Sequence, residues 1–364
     1  MTRIAFLFMM ALYLSMMEAY RITEKKFHAQ LFQTFNDRFD KKYLSNAEYK
    51  FRAQLYNKKL DEIEEFNKEN FEWQKGETNF TDMTDSEKKQ YLGSLINQDD
   101  TTEIENEEEL FLKLAQEEEN YGISPLFSPF LQNNLPSAFL SLPRKVNWLT
   151  SGLMTPVKNQ RSCASCWAFT AIALLESLYK KKYGYDLNLS VQELVDCATS
   201  GIYNNFGCQG GYVRNALNFI RDRGSSLESK YPYTARDGKC RNLSSYSYKI
   251  RQVIPVKNKS LVELLRALSQ GPVGVSIYVA NDFYDYKSGI YNHKAGCKGQ
   301  TSVNHAVVAV GYDLNSAKPH IIFKNSWGTN FGENGYFRMS MDLIEIGDGP
   351  CNLLKFNSSF MASL

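Results

Sequence analysis

The run Gln160-Arg161-Ser162-Cys163-Ala164-Ser165-Cys166-Trp167 places two thiols three residues apart. Such a pair can cycle as a redox couple, supply half of a metal site, or divide its roles between one structural and one nucleophilic sulfur. A nucleophilic sulfur must be a thiolate. A helix N-terminus and a nearby imidazolium lower a thiol pKa well below its free value of about 8.5. The residues that follow predict such a helix: Trp167, Ala171, Leu174, Leu175 and Leu178 form one apolar stripe. Ser165 stands at the N-cap position, Lys180–Lys182 fall in the last turn and Gly184 ends it. Cys166 then lies in the first turn, where unpaired backbone N–H groups favour negative charge.

The chain has four histidines. His28 lies in an acidic N-terminal half, while His293 and His320 stand in polar, turn-like surroundings. His305 opens the apolar run NHAVVAVGY, which reads as a buried strand able to aim the ring. Asn325 enters the glycine-rich turn KNSWGTNFGENGY beside Trp327, at the end of a second buried run, HIIFKNSW. An asparagine amide can hold an imidazole in one tautomer, as the third member of a nucleophilic triad does. The competing chemistries fit less well. A zinc site lacks a second C-x-x-C or paired histidines, and a thiol–disulfide couple lacks a βαβ context and leaves His305 and Asn325 without a role. No metal or cofactor is expected.

The elements that must carry these residues divide a 364-residue chain, long enough for about two domains. Residues 1–141 hold 16 Lys+Arg against 25 Asp+Glu, a balance of −9; residues 142–364 hold 26 against 15, or +11. Halves of opposite sign suggest mutual binding. No Lys/Arg cluster or motif points to a nucleic-acid partner. Residues 1–19 combine Arg3 with the uncharged run Ile4–Met17, too short to span a bilayer and shaped like a secretory signal cleaved after Ala19. Two helices are predicted next. Thr23–Phe39 carries Phe27, Leu31, Phe35 and Phe39 every fourth residue. The second opens at a Ser45-x-x-Glu48 capping box and continues with Tyr49, Tyr56, Ile63 and Phe66, with Glu48 and Arg52 spaced for an ion pair. Residues 99–119, with ten acids and one lysine, read as a solvated linker, and Pro136 and Pro143 mark a boundary before Trp148. Helices first and short strands after predict an α+β architecture in two packed lobes. All seven cysteines fall in the basic half, and an odd count in an oxidising compartment leaves one thiol over.

Together these motifs resemble the precursor of a papain-like cysteine peptidase of the cathepsin L group. The C-x-S-C-W run is followed by His305 139 residues after Cys166 and by Asn325 159 residues after it. The resemblance extends from residue 23 to the C-terminus. It implies a signal at 1–19, a helical inhibitory propeptide with an acidic linker at 20–141, and a two-lobed peptidase at 142–364 with a helical left lobe and a β-barrel-like right lobe. By the same resemblance Cys166 attacks the peptide carbonyl as a thiolate paired with protonated His305, and Asn325 orients His305. The Gln160 amide and the Cys166 N–H would form the oxyanion hole. Cys163 is then structural and paired with Cys208, beside Cys197–Cys240 and Cys297–Cys351. Gly210 and Gly211 would accept substrate as an added strand. Tyr212, Val213, Ser276 and Val303, with Phe356 as a floor, would line the pocket for the second residue before the scissile bond; Asn304 and Trp327 complete the substrate-binding set. That pocket is apolar, which favours Val or Leu and disfavours large aromatics.

The N-terminal half carries the propeptide's interspersed helix motif as Glu48, Arg52, Tyr56, Lys59, Ile63 and Asn67, with Tyr and Lys where Phe and Asn are usual. Gly76-x-Thr78-x-Phe80-x-Asp82 follows, with Thr in place of Asn. In relatives this domain threads its tail backward through the cleft; protonation of acids such as Asp82 and Glu48 would loosen it at acid pH. Ala164 replaces a usual glycine, so its methyl could crowd the first subsite. Phe331 stands where a tryptophan usually shields the Asn–His bond. No histidine-bearing insertion lies between Cys208 and Cys240, which favours endopeptidase over exopeptidase action. The expected partners are polypeptide substrates, the chain's own propeptide and cystatin-type inhibitors, acting on a monomer that reaches a lysosome or an extracellular or digestive lumen. Five N-x-[ST] sequons, at Asn79, Asn188, Asn242, Asn258 and Asn357, suit that route. The alternative function is a non-catalytic, protease-like peptide binder.

Overall fold

A computed structural model describes residues 2–69, 71–96, 142–241, 248–257, 260–292, 294–297, 300–341, 349–355 and 358–364. The acidic linker, Phe356, His293 and the sequons at Asn242, Asn258 and Asn357 lie outside the described residues.

The N-terminal half begins with α1 (Thr2–Phe39), one continuous helix that includes the predicted signal. It packs on α2 (Asn46–Lys68) through Phe32, Phe35 and Tyr56. Phe27 is exposed instead of lying on the expected stripe. Each step of four residues advances about 40° beyond a full turn, so a strict fourth-residue row winds off the buried face. Ser45 caps α2 by accepting from Glu48 N at 3.1 Å, but Glu48 Oε2 accepts from Leu44 N at 2.9 Å, not from Ser45 as a reciprocal box requires. A short strand, β1 (Trp73–Lys75), and a one-turn helix, α3 (Asp85–Lys88), complete this half.

The second half opens with β2 (Lys145–Asn147), then α4 (Cys166–Tyr183), α5 (Gln192–Cys197) and α6 (Val213–Asp222). Next come β3 (Gln252–Pro255), α7 (Leu261–Gln270), β4 (Val273–Ile277), β5 (Tyr286–Tyr291) and α8 (Lys294–Cys297). β6 (His305–Asp313), β7 (His320–Lys324), β8 (Tyr336–Ser340) and β9 (Phe360–Ser363) close the chain. The strands run in the order β1-β5-β8-β7-β6-β4-β9-β3, with β2 also on β6, so the sheet among the described residues ends at β1 and β3 and does not close into a barrel. β5 and β8 are parallel; the other pairs are antiparallel.

β6 explains why its sequence reads as an unbroken apolar run. Val307 and Ala309 join one core with Val275, Phe323 and Phe337, while Ala306, Val308 and Val310 join a second with Trp167, Leu175 and Leu217. Successive residues of a strand face opposite sides, and here both sides are buried. The two cores are the two lobes, helical around α4 and sheet-based around β4–β8. Trp73, Phe80 and Tyr91 of the N-terminal half belong to the sheet-based core, with Val307 and Ala309. Cys163–Cys208, Cys197–Cys240 and Cys297–Cys351 are bonded, and Cys166 is the free thiol.

Candidate active site

Cys166 is the first residue of α4, and Gly184 ends that helix with a left-handed φ of 74°. Ser165 does not cap it: its Oγ pairs with the Tyr233 hydroxyl at 2.7 Å. The helix is buried on all sides over its first three turns, so the predicted stripe is only part of its buried surface. β6 brings His305 to the same place, and Ala306 N donates to Cys166 Sγ at 3.4 Å. His305 Nε2 pairs with Asn325 Oδ1 at 2.8 Å, which leaves Nδ1 as the nitrogen without a partner among the described residues. The Trp327 ring lies 4.7 Å from the His305 ring and covers this bond, and Phe331 supports Trp327 edge-on at 4.8 Å. His320, expected in a turn, is instead buried at the start of β7 and bonds Lys318 O.

Gln160 is fully buried. Its Oε1 accepts from Ser326 Oγ at 2.7 Å, and its Nε2 donates to Cys163 O at 2.8 Å and to Tyr91 O at 3.0 Å. The amide that would serve an oxyanion therefore holds a carbonyl of the N-terminal half. Tyr233, which the sequence reading did not single out, ties this loop from behind. Its hydroxyl lies 2.8 Å from Gln160 O, and Phe169 meets its ring at 5.0 Å. A lone tyrosine some seventy residues away gives no local pattern by which to find it.

Residues 91–95 lie across the cleft. Gly211 N donates to Gly93 O at 2.8 Å, Leu95 N to Gly211 O at 2.9 Å, and Ser94 N to Asn304 O at 3.1 Å. Ser94 pairs with Gly211 in a parallel bridge, and its hydroxyl meets Ser276 Oγ at 2.7 Å. Gly210, Gly211, Ser276 and Asn304 are thus brought together around one extended segment. Val213 and Val303 are buried, Tyr212 is half-buried, and Phe206 stands 6.4 Å from the Tyr212 ring. A Cβ on Gly93 would come within 1.9 Å of Ala164 O and 2.7 Å of the Ala164 methyl, so only a glycine passes here.

This covering changes the chemistry of the pair. Burial pushes the Cys166 thiol up to about 11, against weaker pulls from the N–H groups of Ala306, Gly93 and Trp167. Burial likewise pushes His305 down to about 4, against the Asn325 bond. Beneath this segment a neutral thiol therefore lies beside a neutral imidazole; the thiolate expected at the helix terminus belongs to the uncovered site. Water is excluded from both groups, and desolvation outweighs a half-charge of helix dipole.

The Glu48–Arg52 ion pair forms as expected, but the acids expected to loosen docking on protonation do not reach across the interface. Asp82 pairs with Lys41 and Tyr43, and Glu48 with Arg52, all within the N-terminal half. Arg52 is the hub: it lies 2.6 Å from Glu87, and its hydrogen bond holds the Glu87 carboxyl down to about 2. Across the interface the acidic half uses a lysine: Lys59 Nζ lies 3.2 Å from Asp285 Oδ2, and Lys75 and Lys88 also face that carboxyl. Glu72 pairs with Lys318 in the expected sense. Of the sequons, Asn188 is exposed and Asn79 half-buried.

Residues 142–358 match the model of the papain family cysteine proteases, and residues 32–87 match that of the cathepsin propeptide inhibitor domain. Caricain from Carica papaya is 36% identical over 308 residues, covering 84% of this chain and 79% of its own. An aleurain-like thiol protease of Arabidopsis thaliana is 32% identical over 328 residues, covering 89% and 83%. The solved structure of recombinant stem bromelain precursor superposes with a TM-score of 0.75 at 31% identity, over 93% of this chain and 99% of that one. No helix among the described residues is long and apolar enough to cross a membrane. With the cysteine, histidine and asparagine assembled under a strand of its own N-terminal half, the chain belongs to the papain family of cysteine proteases, as a precursor carrying a cathepsin-type propeptide domain.

Proposed function

We propose that this chain is the precursor of a cysteine endopeptidase in which Cys166 attacks, His305 exchanges the proton, Asn325 orients His305, and Gln160 Nε2 with the Cys166 N–H receives the oxyanion. The observation that carries this reading is the strand 91–95, which takes the Gln160 amide and the Gly211 edge as a substrate would. The sheet side of the cleft, with Trp327, takes the leaving half. The segment enters from that side and exits past Gly211, opposite to a productive substrate, and it turns the Gly93 N–H toward Cys166 Sγ. Removing it exposes Cys166 and His305 to water and lets the thiolate–imidazolium pair form, because the desolvation that favours the neutral forms is gone. The thioester formed on Cys166 is then hydrolysed by water activated by His305.

The mature enzyme is taken to begin near Leu142, after a propeptide at 20–141 and a signal at 1–19. Exposure of Met10, Tyr13, Leu14, Met16 and Met17 supports a leader that belongs to no core. The route is secretory, ending in a lysosome or an extracellular or digestive lumen. The pocket for the second residue before the scissile bond (P2), formed by Tyr212, Val213, Ser276 and Val303 with Phe356 as its floor, prefers Val or Leu, and acid triggers processing. Linkage assigns the acid sensitivity to groups whose docked pKa is depressed. Glu87 supports the propeptide fold fully above about 4.5 and loses that support as pH falls toward about 2. Asp285 works the other way: burial raises its pKa, so proton uptake there favours the docked state.

The test is to acidify purified precursor, follow its processing, and profile cleavage with a peptide library. Processing that appears below pH 5 in wild type and is lost in Cys166→Ser supports the reading. A precursor that opens at pH 7 but stays intact at pH 4–5, or an Arg or Phe preference at P2, contradicts it.

A further inference from the structure

The propeptide also touches the peptidase away from Cys166, at the edge of the sheet. β1 pairs antiparallel with β5, with Trp73 opposite Gly289 and Lys75 opposite Tyr286. Ile290 N donates to Glu72 O at 3.0 Å, and Gly76 N to Asp285 O at 2.9 Å. Trp73 packs 4.9 Å from the Tyr291 ring and 6.2 Å from Tyr286. Gly289 has a φ of +93°, and a Cβ there would stand 2.3 Å from Glu72 O, so this position admits a neighbouring strand only as glycine. Asp285 is 1% exposed, faces Lys59, Lys75 and Lys88, and leaves Oδ1 without a hydrogen-bond partner among the described residues. A buried carboxylate of this kind is costly unless a cation faces it.

β1 is the terminal strand of the sheet. Once the propeptide is removed, the edge becomes β5, with unpaired backbone groups, an aromatic wall and a carboxylate. An open strand edge is a template for an added strand, with side-chain pockets supplying selectivity. We propose that the β5 edge is a second polypeptide-binding site of the mature enzyme. It takes an extended segment that lays an aromatic side chain against Tyr286 and Tyr291 and brings a cation to Asp285. Protein substrates are then held at β5 while another part of the same chain is cut at Cys166, and the two contacts reinforce each other. This rests on the peptidase reading above.

Mature wild-type enzyme is assayed on a short fluorogenic dipeptide amide and on casein, with and without a synthetic peptide of residues 71–77, Phe-Glu-Trp-Gln-Lys-Gly-Glu. The peptide is expected to slow casein cleavage about fivefold at saturation and to leave dipeptide hydrolysis within about twofold. Gly289→Ala, which plugs the edge, is expected to give the same split without added peptide, and Asp285→Asn a smaller one. Unchanged casein cleavage in the presence of the peptide overturns the proposal. Equal slowing of both substrates also overturns it, since that locates the peptide in the catalytic cleft. Failure of wild-type enzyme to hydrolyse the short substrate overturns the peptidase reading instead.

Discussion

The propeptide grips the peptidase in two ways that differ in kind. In the cleft, residues 91–95 are held mainly through main-chain groups: Gly211 with Gly93 and Leu95, Asn304 with Ser94, and the Gln160 amide with Tyr91. At the sheet edge, backbone pairing is joined by aromatic packing of Trp73 and by the Lys59–Asp285 pair. Backbone contacts accept many sequences and fail mainly where a side chain cannot fit. Side-chain contacts depend on identity and are lost by truncation. The cleft contact thus depends little on side-chain identity, whereas the edge contact depends on Trp73 and Lys59.

Substitutions test that contrast, starting with the largest effects. Cys166→Ser should lower kcat/KM of the mature enzyme by roughly four orders of magnitude or more, and the precursor should not process itself. Reaction of Cys166 with iodoacetamide should separate the two states as strongly. With a thiol pKa near 11, the precursor is ionised to roughly one part in ten thousand at pH 7, so alkylation should be far slower than in mature enzyme. Equal rates would mean that the covering strand does not control ionisation.

Gly93→Ala should weaken inhibition by the isolated propeptide by about a hundredfold, since the clash is with the Ala164 backbone. Ala164→Gly should not rescue it, because removing the methyl leaves the carbonyl in place; full rescue would assign the clash to the side chain. Trp73→Ala should cost the docked propeptide about 3–5 kcal/mol, read from the inhibition constant, while catalysis by mature enzyme is untouched. Tyr233→Phe should lower kcat about fivefold with KM and the alkylation pH profile unchanged, as expected when the hydroxyl that ties Gln160 O and Ser165 Oγ behind the site is lost. Glu87→Gln removes a carboxylate held at about 2 by Arg52 and should raise the pH midpoint of processing by about half a unit.

Much of the site was legible because its members sit on elements with strong local signals. Cys166 follows from the apolar helix, His305 from the buried strand and Asn325 from the glycine-rich turn. The first helix was legible in existence but not in face, because a four-residue row and a 3.6-residue turn drift apart. Charge counting reached less far, for a different reason. It pointed to two halves that bind each other, and they do, but net charge sums every residue and cannot place the pairs that meet: Glu72 meets Lys318 in the expected sense and Lys59 meets Asp285 in the reverse one.

By itself, the sequence determined which residue types were present, in what order, and which local elements would carry them. That is enough for a cysteine, a histidine and an asparagine to be read as one set. The tertiary structure alone decided that Cys166 and His305 are both neutral in the precursor, that Gly93 passes beneath Ala164, and that β1 caps β5. These outcomes depend on burial and on contacts between segments some 70 to more than 200 residues apart. Desolvation and steric fit act through space, and no local pattern encodes them.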